Sequence, residues 1–428
     1  MESTVVHIRG DDEDHHPQKA KPSLFSAFCA KLSRIGSGEK DGYFSRPFIH
    51  SIKVGVALVF VSLLYLVRPL YDQVGDNAMW AIMTVVVMFE FYAGATLSKG
   101  LNRGMGTIMG GGLGCLAAFL ARQVGEIPRA VTIGISVFFF GSLATYARMV
   151  PRVKQKFDYG ALIFILTFNL IAVSGVRGEE IIKLTIDRLM TIAMGFTLCI
   201  FVSLMIFPIW ASDELHRALV DKFDCLARSI EECLAEYFKP IDENSEASSK
   251  PSDCLSVLNS KAKDELLANF ARWEPWHGKF GFFYPWNKYL QIAKLLRELA
   301  ASVFTLRGVL SAHSQWSPVS SRLAIKEACE GLGTLLSFTL TELGDSVFNM
   351  RKYQTQESVG MKLHSTRQLL SLALSNSPVA LKVENGNDAI GGGLLVTFVI
   401  SLMDIADKVE ALAKEIEDLG NAARFPSQ

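Results

Sequence analysis

IHSIKVGVALVFVSLLYLV, Ile49–Val67, is nineteen residues long and carries one full charge, Lys53. At about 1.5 Å per residue, a helix of this length crosses the roughly 30 Å of hydrocarbon in a bilayer. A charge inside such a span costs about 2.5–3.5 kcal/mol on insertion scales, so it snorkels, pairs or lines a polar path. Working outward, five further apolar stretches lie at 78–98, 103–122, 129–149, 159–176 and 189–210. They are too long for membrane strands and do not alternate polar with apolar, so the expected fold class is an all-α membrane protein with six transmembrane helices. Arg103 and Arg188 open two of these spans as Lys53 opens the first. Cations at the mouths of a six-span bundle suggest a pore or carrier for anions.

From Ala211 onward the chain becomes charged and amphipathic, with Leu215, Leu219, Phe223, Leu226 and Ile230 at helical spacing. A polar linker is expected over 241–256, then helices near 257–271, 286–312, 320–351, 358–375 and 388–419. The uncharged run Ala389–Met403 is short for a seventh span and reads as a buried bundle helix. The expected organisation is therefore a disordered tail over 1–45, a six-helix transmembrane part over 46–210 and a helical bundle domain over 211–428. The tail holds Asp11, Asp12, Glu13 and Asp14 followed by His15 and His16. A metal-binding reading of that cluster stands against the simpler reading of a solvated tail.

Forty-three basic and forty-three acidic residues balance, so bulk charge does not point to nucleic acid. The seven cysteines show no CxxC spacing and read as reduced thiols. Lys and Arg near the span ends are richer on one side. Lys31, Arg34, Lys40, Arg46, Lys99, Arg148, Arg152, Lys154 and Lys156 oppose Arg68, Arg122, Arg129, Arg177 and Lys183. This bias predicts cytosolic termini and a cytosolic C-terminal region. In the third span Gly106, Gly110 and Gly114 repeat every four residues. They serve internal helix packing or bare one face of a central pathway.

WEPWHGKFGFFYPW, 273–286, reads as an ordered, aromatic-packed corner. Glu274 and His277 are its only candidates for acid–base chemistry. With no Walker loop, dinucleotide fingerprint or zinc spacing, neither an enzyme nor a cofactor is expected.

Several stretches together resemble the plant aluminium-activated malate transporter family. They are KVGVALVFVSLLY (53–65), NAMWAIMTVVVMFEFYAGATLSKGLNRG (77–104), KFDYGALIFILTFNL (156–170), RLMTIAMG (188–195), FPIWASDELH (207–216) and LNSKAKDELLANFARWEPWHGKF (258–280). NAARF at 421–425 is similar to that family's C-terminal end. The resemblance implies a homodimeric channel for malate and inorganic anions, in the plasma membrane or alternatively the vacuolar membrane. It implies that Lys53, Arg103 and Arg188 line the conduction path; the charge bias places Lys53 and Arg103 toward the cytosol and Arg188 at the outer mouth. Glu90 is expected to pair with Arg103 or Lys53. Trp80 reads as an interfacial anchor or a constriction, and Phe60 and Leu64 as the apolar part of a gate. Asp72 and Glu179 match acids of aluminium-responsive relatives, but Lys183 stands where those carry another acid, which argues against a metal site. Two other readings remain: a proton-coupled organic-acid exporter, and a membrane-anchored scaffold or signalling protein.

Overall fold

The computed structural model describes residues 42–69, 78–124, 126–175, 181–238, 252–281, 283–316, 319–353, 389–426 and short pieces between 360 and 372. Among these residues there is no strand, only an isolated bridge between His277 and Phe280. The fold is an all-α membrane protein with a helical C-terminal region.

Six helices make up the apolar part: α1 (Gly42–Leu66), α2 (Ala78–Met88), α3 (Ala93–Arg122), α4 (Glu126–Met149), α5 (Pro151–Ser174) and α6 (Ile181–Met205). Five are long and apolar enough to cross a membrane; α2, with eleven residues, is the exception. The expected span 78–98 is thus not one helix. It stops at Met88, runs non-helical through Phe89-Glu90-Phe91-Tyr92, and restarts at Ala93. Tyr92 is extended (φ −94°, ψ 142°), and the Glu90 N–H donates to Thr96 Oγ1 at 3.1 Å, so a side chain satisfies a backbone group freed at the break. The third span then absorbs the second half of that stretch and becomes a 30-residue helix.

The six helices pack as two triplets. Ala57 and Val61 of α1, Val85 and Met88 of α2, and Cys199 and Val202 of α6 share one core. Ala117, Ala121, Ile133, Phe168 and Ala172 join α3, α4 and α5 in another. The glycine stripe makes the second triplet possible. A Cβ on Gly110 would lie 2.7 Å from the Phe164 carbonyl oxygen, and Gly106 and Gly114 also abut α5. The stripe therefore brings two backbones together. The triplets meet along a seam of α3 and α6, where Gly100 faces Phe196 and Gly111 faces Thr185. Each step forward on α3 is a step back on α6, so the two run antiparallel.

The C-terminal region holds α7 (Ala211–Tyr237), α8 (Ser252–Leu258), α9 (Lys261–Ala271), α10 (Trp286–Trp316), α11 (Val319–Asn349) and α12 (Ala389–Ala422). The helix expected at 257–271 begins at Lys261, and the end of the stretch expected as a polar linker, 241–256, instead holds the short helix Ser252–Leu258, with a turn at Asn259-Ser260 between them. All six contribute to a single core, including Leu215 and Phe223 of α7, Tyr289 and Leu296 of α10, and Leu336 of α11. The run that resembled a seventh span belongs here: Phe398, Leu402, Ile405 and Val409 of α12 are buried in that core. Phe425 and the backbone of Lys352, which donates to Pro426 O at 3.1 Å, pin the end of the described chain.

Candidate functional site

The two triplets bury three cations. Lys53 is 1% exposed, and Arg103 and Arg188 are each 8% exposed. Lys53 projects from α1 onto α6 and donates to the Ser203 carbonyl at 3.4 Å. Arg103, on α3, donates to Tyr159 Oη of α5 at 2.9 Å. Arg188, on α6, lies with its guanidinium carbon 3.9 Å from the centroid of the Trp80 ring of α2. The Nε atoms of both arginines are buried with no hydrogen-bond partner. Among the described residues, no carboxylate pairs with any of the three.

The antiparallel register sets their depths. Lys53 lies at Ser203 of α6, and Arg103 falls opposite Ala193. At about 1.5 Å per residue the steps along α6 are roughly 15 Å from Lys53 to Arg103 and about 7.5 Å from there to Arg188. Arg103 acts on Arg188 as a like charge. The charge bias grouped Arg103 with Lys53; the register along α6 sets it nearer Arg188, at the seam of the triplets.

The remaining expected residues are distributed as follows. Glu90 lies in the break after α2 rather than deep in a span, and its carboxylate takes a 2.5 Å bond from Lys99, not from Arg103 or Lys53. Arg103 follows Lys99 at i+4, so both lie on one face of α3. Lys99 Nζ is 5.3 Å from the centroid of the Tyr159 ring whose hydroxyl binds Arg103. Lys99 and Tyr159 were missed as site residues; the i, i+4 spacing in KGLNR was the signal available for the first. Trp80 is half-buried and bound to Arg188. Phe60 is exposed on α1. The Leu64 side chain, Asp72 and Glu179 lie outside the described residues, while Lys183 is exposed.

Two other arginines of the membrane helices find partners, although the Arg129 Nε, like those of Arg103 and Arg188, is buried without one. Arg148 makes a two-point contact with Asp158, at 2.8 and 3.2 Å, and Arg129 donates to the Gly175 carbonyl at 2.6 Å.

A second constellation joins the membrane helices to the C-terminal region. Glu274 accepts from the backbone N–H groups of Ala211 (2.6 Å) and Ser212 (3.1 Å) and from Ser212 Oγ (2.6 Å). It thereby caps α7, whose own N-cap, Trp210, offers no side-chain acceptor. His277 stacks on Trp210 at 3.7 Å between centroids and reaches Ser212 Oγ at 2.9 Å. Ala93 N–H donates to the Ile209 carbonyl at 3.1 Å. Arg46 of α1 reaches Glu214 at 2.6 Å, and Lys263 reaches it at 3.3 Å. Burial alone would raise the Glu214 pKa; the Arg46 hydrogen bond and the charges of Lys263 and Arg46 outweigh it and hold the carboxyl below the ordinary glutamate value. Glu274 and His277 are thus committed to packing and capping at this junction.

Residues 44–392 match the family model described as "Aluminium activated malate transporter". "Aluminum-activated malate transporter 13" of Arabidopsis thaliana is 39% identical over 390 residues, covering 88% of this chain and 71% of that protein. "Aluminum-activated malate transporter 14" of the same plant is 42% identical over 377 residues, covering 86% and 68%. "Aluminum-activated malate transporter 1" of Triticum aestivum is 35% identical over 408 residues, covering 92% and 85%.

Proposed function

The chain belongs to the aluminium-activated malate transporter family, and from that premise we propose that it is an anion channel whose permeant ions are malate and inorganic anions. One observation supports the mechanism: Lys53, Arg103 and Arg188 are buried among membrane helices and, among the described residues, have no acidic partner. A buried charge stripped of its partner is strongly unfavourable. The anion in transit is the missing counterion. Lys53 draws an anion in at one depth, and Arg103 and Arg188 receive it roughly 15–22 Å further along α6. Two guanidinium groups that repel each other suit an ion with two carboxylates. Partners such as Tyr159, Trp80 and a single carbonyl leave these cations free to exchange anions, because conduction needs attraction without trapping.

The conducting part is residues 46–210, both termini face the cytosol, and the channel is a homodimer of the plasma membrane. The excess of Lys and Arg on one side supports the orientation; the family resemblance supports the assembly. Lys183 within an otherwise acidic outer set, Asp72 and Glu179, argues against strong activation by Al³⁺, because an ammonium group repels a hard trivalent cation.

The test is current through the purified chain with malate on one side and chloride on the other. A channel gives a reversal potential that follows the anion gradients and stays fixed when a pH difference is imposed. A potential that moves with pH would assign a proton-coupled exporter instead, and no flux at all would leave a scaffold.

A further inference from the structure

The loop between α9 and α10 holds an exposed aromatic surface that neither capping nor packing uses. Trp276 is 72% exposed and Phe283 is 101% exposed, and Trp273, Arg272 and Lys279 are exposed beside them. The other side of the same loop is fixed. Glu274 binds the first turn of α7, His277 stacks on Trp210, and Phe280 is buried in the core of the C-terminal region. The exposed rings are therefore carried on a loop whose other side is packed through Glu274, His277 and Phe280.

The position of the loop relative to the membrane follows from α3. Thirty helical residues measure about 45 Å, the thickness of a bilayer with its headgroups rather than of its hydrocarbon alone. The first turn of α3 therefore ends in the headgroup layer. That turn touches the loop: a Cβ on Gly94 would lie 2.8 Å from Glu274 Cγ and would strike the carbonyl oxygen of Phe270. Tryptophan and phenylalanine with flanking arginine and lysine are the side chains that partition into this layer, rings among the headgroups and cations on anionic phosphates.

We propose that Trp273, Trp276 and Phe283 anchor the C-terminal region to the surface of the membrane that its own helices span, with Arg272 and Lys279 facing anionic lipid headgroups. The occupant is phospholipid. The loop thus ties the cap on α7 and the start of α3 to the lipid surface, where a change of lipid charge reaches the helix that carries Lys99 and Arg103. The proposal needs only the membrane placement of α3 and is independent of whether the protein is a channel.

The full chain is reconstituted in phosphatidylcholine–phosphatidylserine vesicles whose acyl chains carry bromine either just below the headgroup or near the bilayer centre. Tryptophan emission of the parent is compared with Trp276→Phe; the difference isolates Trp276 from the other five tryptophans. The expected result is a difference spectrum quenched by the shallow bromine more than by the deep one. Its quenching falls when phosphatidylserine is omitted or when Arg272 and Lys279 are both changed to Gln. A difference spectrum that neither bromine quenches overturns the proposal: a water-like emission maximum leaves the ring in solvent, and a blue-shifted one assigns it to a contact with a second copy. Trp276→Phe alters only an exposed ring, and helix content by circular dichroism confirms that the variant is folded.

Discussion

Asp264, in α9, and Lys53, in α1, are both 1% exposed, yet their surroundings differ in kind. Asp264 accepts from Lys222 at 2.6 and 2.7 Å, from Arg297 at 3.0 Å and from Ser260 at 3.0 Å. Lys53 finds one carbonyl oxygen at 3.4 Å. The same contrast holds between Glu274, with three donors, and Arg188, whose partner is an aromatic face. In the C-terminal region a buried charge is saturated and holds helices together. Among the membrane helices the three deepest cations are left short of partners. A cation held only by a hydroxyl, an aromatic face or one carbonyl is available to an anion that passes.

This contrast can be broken from either side, and the largest effect is expected where pairing is complete. Asp264→Ala leaves Lys222 and Arg297 buried against each other and should cost roughly 3–5 kcal/mol. Lys53→Met removes a charge with no acidic partner and should be neutral or stabilising. Denaturant or thermal unfolding in detergent compares the two; equal destabilisation would erase the distinction. Glu274→Ala uncaps α7 and should cost about 1–2 kcal/mol, with Glu274→Gln losing less because one acceptor remains. Unchanged stability in both would mean that water replaces the cap without penalty.

The smallest effect sharpens the junction. Glu214 titrates below its ordinary range, so the folded chain binds fewer protons there than the unfolded one. Its contribution is present above the unfolded pKa and is lost as pH falls through the depressed folded value. Arg46 is partly exposed, so the contact is worth under about 1 kcal/mol. In Arg46→Gln the melting temperature should fall less steeply on acidification than in the parent. Parallel curves would assign the shift to Lys263 alone.

Much of this was legible in the residues. Hydropathy locates the apolar helices because lipid demands long uninterrupted runs, and the 3.6-residue stripe from Leu215 to Ile230 marks α7. The break at Phe89–Tyr92 was not legible, since a hydropathy window reads FEFY as mostly apolar and smooths over Glu90. The partner of Glu90 depends on which face of α3 carries Lys99, and that requires knowing where α3 begins. The Glu274 cap joins residues more than sixty positions apart, and its acceptor role leaves no local pattern. That Lys53, Arg103 and Arg188 meet no carboxylate among the described residues emerges only when the neighbouring helices are in place.

The most direct test is malate current through single channels of the purified parent, Lys53→Glu and Arg188→Glu, with folding of each verified by its unfolding midpoint. The account predicts that either charge reversal abolishes or sharply reduces the current in a protein that remains folded. Undiminished unitary malate current in both variants would contradict it and remove these cations from the path of the anion.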